Sequence, residues 1–345
     1  MSIHSDESTH RTATPITQAS AADSRPLPYS FKTQSGDRDA SVTSSIRLMA
    51  PRELEYTVLD AFTSHVFAGN PACVIVLPRG LVLPEGTMQL IGREFNLSET
   101  AFIESTHEPT TFGLRWFTPA LEVPLCGHAT LAAAQILFST TLAESSRIVF
   151  RTRWSGDLIC TRTENGKVEM EFPAGVVEAV DDALRAKAVE AVRHALGLET
   201  VPLVNFVGRT PGASFDRFIL IHIDDNIDLA SAKVDPSILD AELNPPCRTI
   251  VLTNSPPNGA KHFVSRVFAI AAGIPEDPVT GSAHSILTPY WSQKLDINGE
   301  LNARQVSPRG GDLDVSWVRE AGASGRVKMR GEAVVAAKGT LYVPA

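Results

Sequence analysis

Residues 122–129, EVPLCGHA, and residues 276–283, EDPVTGSA, are the stretches on which the fold turns. At an offset of 154 residues, Glu, Pro, Gly and Ala coincide. Each copy opens an apolar segment of helical character, GHATLAAAQILFS after the first and a segment over roughly 281–294 after the second, and each follows a run of strands. The offset is about half of the patterned chain. The shared context outweighs a chance match of four positions in eight. It predicts two similar lobes, each a strand-rich shell around one helix, over 54–174 (completed by a C-terminal strand at 333–345) and 175–332.

The rest of the pattern agrees. EYTVLDAF, ACVIVL, ETAFIES and FGLRWFTP read as strands, and GTMQLIGREFN as a short helix with Met88, Ile91 and Phe95 on one face. RIVFRTRWSGDLICTRTENGKVEMEFP reads as a three-strand meander turning at Ser155-Gly156 and Asn165-Gly166. A second helix, 181–196, carries Leu184, Ala188, Val192 and Leu196 on one stripe and ends at Gly197. Strands and hairpins dominate, without βαβ alternation, so the class is α+β rather than a doubly wound sheet.

The 345 residues are 43% apolar and 20% charged, with a net charge of −8. No Lys/Arg cluster suggests a nucleic-acid partner. No apolar run approaches the roughly 18 residues of a membrane span. Cys73, Cys126, Cys160 and Cys247 are scattered without a CxxC pair, which argues against a zinc site and a disulfide framework and for a reducing, cytoplasmic setting. Residues 1–53, rich in Ser, Thr, Asp and Arg, read as a disordered extension; Asp6, Glu7, Asp23, Asp37 and Asp39 count against a transit peptide.

If the lobes face one another, two helix N-termini meet in one cleft. Each offers unpaired N–H groups and the positive end of the helix dipole, a setting for a small carboxylate. Glu99, His128 and Asp277 sit beside that cleft, a set able to take a proton from carbon and return it elsewhere without cofactor or metal. Plainer readings stand beside these. Glu99 is also a strand-end acid, Asp277 a turn former or cap, and His128 a first-turn decoration. Ser282 reads as an N-cap, Cys126 as a small buried residue, and Asn70 as a turn residue. Arg309-Gly310-Gly311 reads as a hairpin with a charged edge, and His284 as structural.

DAFTSHVFAGNPACVIVLP (60–78), REFNLSETAFI (93–103), RWFTPALEVPLCGHATLAAA (115–134), EDPVTGSAH (276–284) and QVSPRGG (305–311) together resemble the phenazine-biosynthesis (PhzF-like) isomerase and epimerase family. The resemblance spans about residues 55–343. It implies the diaminopimelate-epimerase-like fold, cofactor-free proton transfer and a homodimer. It implies Glu99 as general acid/base, with His128 and Asp277 assisting, and Asn70, Gly127, Gly281 and Ser282 around the ligand. The family's type reaction, isomerisation of a dihydro-hydroxyanthranilate, begins with that glutamate taking a proton from C3. Two-cysteine racemases of the same superfamily carry one thiol per lobe; here Cys126 stands at the first place and Thr280 at the second. A one-cysteine racemase or dehydratase using Cys126, and a non-catalytic binding protein, are the rival readings.

Overall fold

The computed structural model describes residues 52–211, 215–257, 259–320 and 323–344. The extension expected over 1–53 lies outside them as far as residue 51. Arg52 and Glu53 instead open the first strand, because they pair with Val343 and Tyr342 of the last.

The first half of the chain forms β1 (Arg52–Ala61), β2 (Asn70–Val76), α1 (Glu85–Phe95), β3 (Glu99–Ser105), β4 (Thr111–Phe117), β5 (Glu122–Val123), α2 (Gly127–Ser139), β6 (Arg147–Thr152), β7 (Asp157–Arg162) and β8 (Val168–Pro173). The second forms β9 (Glu178–Ala179), α3 (Asp182–Ala195), β10 (Val204–Arg209), β11 (Phe218–Ile223), α4 (Pro236–Leu243), β12 (Thr249–Asn254), β13 (Phe263–Ala269), β14 (Ile274–Asp277), α5 (Gly281–Lys294), β15 (Glu300–Gln305), β16 (Gly311–Glu320) and β17 (Ala323–Gly331). The closing strand β18 (Ala333–Val343) returns to β1.

Strand pairing repeats step by step. β1–β2 and β10–β11 are antiparallel, while β2–β3 and β11–β12 are parallel. β3–β4 and β12–β13 are antiparallel, while β4–β6 and β13–β15 are parallel. Two antiparallel steps close each series, β6–β7–β8 and β15–β16–β17. β8 pairs with β17 and joins the halves. The parallel β4–β6 and β13–β15 steps need crossovers, and α2 and α5 supply them. α2 touches β1–β3 at one end of its strand series and β7–β8 at the other; α5 touches β11 at one end and β16–β17 at the other. Each half of the sheet therefore curls around its own helix, the diaminopimelate-epimerase-like architecture.

Burial explains the composition of these helices. Ten of the 13 residues of α2 and eleven of the 14 of α5 are buried, so both are enclosed on nearly every side; α2 is mostly apolar, while α5 also buries His284, Ser285, Thr288 and Ser292. Leu131, Ile136, Ile286 and Trp291 belong to one core that runs through both halves. Outer layers are separate. α1 covers the first half through Met88 and Ile91, and α3 with α4 covers the second through Val192 and Leu239. α3 matches its expected span, with the Asp181 side chain accepting from Leu184 N–H as its cap. The sequence reading passed over α4, although Asp235 before Pro236 is a helix-start signal: the aspartate caps and the proline occupies the first turn.

α5 carries an internal proline, Pro289. Its missing N–H frees the Ser285 carbonyl, which accepts from Gly175 N–H at 3.0 Å. The Pro173-Ala174-Gly175 break between the halves is thereby tied to the second central helix.

The repeated residues have distinct jobs. Arg115 on β4 grips Glu122 on β5 with both nitrogens of its fork, at 2.7 and 2.6 Å. Arg266 on β13 grips Glu276 on β14 at 2.7 Å twice. These bidentate pairs fix the short strand that leads into each central helix. The paired alanines, Ala129 and Ala283, are fully buried.

The paired glycines face one another. A Cβ on Gly127 would lie 3.3 Å from Gly281 Cα, and a Cβ on Gly281 would lie 3.3 Å from Gly127 Cα. Neither helix start has room for a side chain. Gly127→Ala or Gly281→Ala is expected to cost about 1–3 kcal/mol as overpacking, read as a lowered urea midpoint. Gly86→Ala, at a helical position with nothing within 4 Å, is the control and should not destabilise.

Candidate active site

The two glycine-started helices end at one cavity of about 660 Å³. Neither helix has a side-chain cap at its N-cap residue, Cys126 for α2 and Thr280 for α5. Ser282, expected as a cap, instead sits in the first turn of α5 and lines the cavity. Thr280 fails to cap because its hydroxyl donates to Asp277 Oδ2. The first-turn N–H groups of both helices are thus left to whatever occupies the cavity.

Glu99, Gly127, His128, Asp277, Gly281 and Ser282 all line this cavity. Glu99 opens β3, and the parallel β2–β3 pairing sets it opposite Ala72, just past Asn70. Its Oε2 lies 3.1 Å from His128 Nε2, close enough for an ion pair. The angle is poor for a hydrogen bond, so Oε2 is buried without a hydrogen-bond partner. A buried carboxylate oxygen left in that state is poised for an added group.

Asn70 is placed differently. It is fully buried and stands behind the lining residues. Its side-chain amide donates to Asp277 Oδ1 at 2.8 Å and to the Val279 carbonyl at 2.9 Å, and lies 3.2 Å from His128 Nδ1. Ser98 Oγ donates to its Oδ1 at 3.3 Å. Val279 O can only accept, which fixes the amide orientation. Both amide hydrogens are committed to Asp277 Oδ1 and Val279 O, so the amide nitrogen packs against Nδ1 while Nε2 faces Glu99. Glu99, His128, Asn70 and Asp277 form one connected polar chain spanning both halves.

Charge is unevenly placed along it. Burial raises the Asp277 carboxyl to about 6, against the pull of His128 and the Thr280 and Asn70 hydrogen bonds. Burial also disfavours the charged form of His128, but Glu99 and then Asp277 outweigh it, and its pKa lies above the usual histidine value. Burial, followed by the Glu99 charge, pushes the Cys126 thiol well above its usual range. Cys126 Sγ lies 3.5 Å from His128 Nδ1. Glu99, Cys126 and His128 bring three potential metal ligands within 4.8 Å.

Three supporting residues went unassigned in the sequence. Gln305 is fully buried; it donates to the Asp277 carbonyl and accepts from Thr280 N–H at 2.9 Å. Ser307 donates to Pro278 O at 2.8 Å. Arg309, read as a charged hairpin edge, reaches the other half: it donates to buried Asp60 at 2.7 Å and to Gly69 O at 2.8 Å. The only sequence signal for these was the QVSPRGG segment itself. His284 is buried, bonds to Thr280 O at 2.8 Å, and is held by burial down to about 4, away from the cavity chemistry.

Titration followed by NMR checks this arrangement. The Asp277 carboxyl should titrate near 6, and Asn70→Ala should move it higher, because a hydrogen bond to the anion is lost. Glu99→Gln should lower the His128 pKa, since the larger of its two supporting charges is removed. Shifts of opposite sign would contradict the connectivity.

Comparison with known proteins places this geometry. The family model for the phenazine biosynthesis-like protein (PhzC-PhzF) family matches residues 59–339. Phenazine biosynthesis-like domain-containing protein 1 of Mus musculus is 41% identical, covering 84% of this chain and 99% of its own. An uncharacterized isomerase of Pseudomonas aeruginosa is 40% identical over 84% and 98%. Among solved structures, a PhzF-family protein of Enterococcus faecalis superposes with a TM-score of 0.72 at 37% identity, covering 85% of this chain and all of that one. A probable proline racemase from Agrobacterium radiobacter shares the fold at 9% identity, with a TM-score of 0.55 over 83% and 92%. The chain belongs to the PhzF-like, phenazine biosynthesis-like family of isomerases and epimerases.

Proposed function

We propose that the protein is a cofactor-independent isomerase or epimerase that moves a proton on a small carboxylate-bearing metabolite, with Glu99 as its general acid/base. One observation carries this reading: Glu99 Oε2 is buried, lacks a hydrogen-bond partner, and lines the cavity where two uncapped helix starts end. The substrate carboxylate accepts from the first-turn N–H groups at Gly127 and at Gly281–Ser282. Glu99 takes a proton from a carbon near that carboxylate. The same N–H groups and dipoles stabilise the negative charge that develops. Glu99 then returns the proton at another carbon, or at the opposite face of the same one.

His128 and Asp277 hold the charge balance during this exchange. His128 Nε2 faces Glu99 Oε2 at 3.1 Å, so an imidazolium there balances a charge on the carboxylate. Asp277, with its carboxyl near 6, exchanges protons readily around neutral pH. The thiol alternative is disfavoured by the strong upward push on Cys126. The two-cysteine racemase mechanism lacks its second thiol, since Thr280 occupies the echo position and is engaged with Asp277.

Glu99→Gln is expected to lower solvent-deuterium incorporation into the true substrate by about 10²–10⁴-fold while leaving ligand affinity nearly unchanged. A mass-spectrometric metabolite screen in heavy water supplies that substrate. Exchange persisting at the wild-type rate would remove Glu99 from the mechanism. Iodoacetamide at neutral pH should modify Cys126 slowly, and Cys126→Ala should keep exchange within about tenfold of wild type. Rapid, ligand-protected alkylation with loss of exchange would favour the thiol.

A further inference from the structure

The cavity exceeds what a one-ring acid needs. At about 660 Å³ it falls within the ~300–1,000 Å³ of cavities that hold drug-sized ligands. Its polar end is accounted for by the helix starts, Glu99, His128 and Asp277. Leu125, Phe172, Phe215 and Phe218 line it as well, and all are buried or half-buried. An apolar wall of this extent recognises an apolar body rather than more charge.

Two further lining residues are unusual. Trp154 is 53% exposed at the cavity rim. The Arg153 guanidinium lies over its ring at 4.7 Å and is itself paired to Glu85 at 2.7 Å and Glu122 at 3.0 Å. An exposed indole at a cavity rim, with a guanidinium over one face, offers its other surface to an apolar ligand. Arg326 on β17 is the one Lys or Arg among the described residues that line the cavity. It donates from Nη2 to Glu171 O at 3.0 Å, and its Nε lies 3.5 Å from Glu171 Oε2. Among the described residues Nη1 has no partner. Asp157 also lines the cavity and would repel a second anion placed on its side.

We propose that the natural substrate is an extended one: a ring-bearing apolar body that lies against Trp154 and the phenylalanine wall and carries a second anionic group paired with Arg326, remote from the carboxylate at the helix starts. This rests on the proton-transfer reading and names its substrate class. Trp154 and Arg326 are then specificity-determining residues, outside the proton-transfer chain.

Calorimetric titration of the full chain with three probes tests this. They are benzoate, 4-phenylbutanoate and 4-(3-carboxypropyl)benzoate, which carries a carboxylate at each end of the same framework. 4-Phenylbutanoate should bind about tenfold more tightly than benzoate, and Trp154→Ala should remove that gain. The dicarboxylate should gain a further three- to fivefold or so at low salt, and Arg326→Gln should remove only that gain. Circular dichroism establishes that both variants fold. Equal affinities for the three probes, with benzoate still bound, would overturn the distal subsite alone. So would an Arg326→Gln variant that loses benzoate as much as the dicarboxylate, since Arg326 would then hold the first carboxylate. Binding of none of the three would overturn this proposal together with the carboxylate reading beneath it.

Discussion

The contact between Gly127 and Gly281 sets the rest of the structure. Two fully enclosed helices start within van der Waals reach of each other, and any Cβ at either start would press on the opposing backbone at 3.3 Å. That approach aims both sets of first-turn N–H groups at one space. It also leaves the N-cap positions without capping side chains, so the polar needs of two helix ends are met from the cavity. Were the helices held apart by even one methyl group, the Glu99–His128–Asn70–Asp277 chain would span a gap instead of a hydrogen bond.

That contact is held by connections far apart in sequence. Arg115–Glu122 and Arg266–Glu276 fix the two short strands leading into the helices. Both pairs are largely withdrawn from water, and removing one partner of Arg266–Glu276 would leave an uncompensated charge, whereas Glu122 is also paired with Arg153 and Arg115 with Glu85. Asn70 and Arg309 then stitch the halves together, Asn70 through Asp277 and Val279, and Arg309 through Asp60 and Gly69. The β8–β17 pairing and the shared core complete the union. Relative motion of the halves would break the same bonds that hold the candidate catalytic groups, so site geometry and fold stability are coupled.

Much of this was legible in the linear pattern. Period-two alternation marked most strands, and the apolar segment after Gly127, together with its echo after Gly281, marked the central helices. The turn at Asn165-Gly166 was correctly read as a hairpin, though only Gly166 adopts a left-handed φ, of 83°, and the loop runs from Thr163 to Lys167. α4 escaped notice because eight residues carry little periodicity, even with Asp235 and Pro236 marking its start. Ser282 read as a cap because its residue type prefers that position; Thr280 holds it instead.

By itself the sequence determined an α+β chain with an internal echo and two helix starts, and it marked Glu99, His128 and Asp277 as candidate groups beside them. Those are local properties: residue type, spacing and periodicity. Only the tertiary structure decided that Asn70 stands behind the cavity as a bridge, that Arg309 and Gln305 support the opposite half, and that Glu99 Oε2 is buried without a hydrogen bond. Each depends on which distant groups meet. Hydrogen-bond partners and desolvation are set by packing between distant segments, as with Arg309 and Asp60, 249 positions apart, and no short-range pattern encodes them.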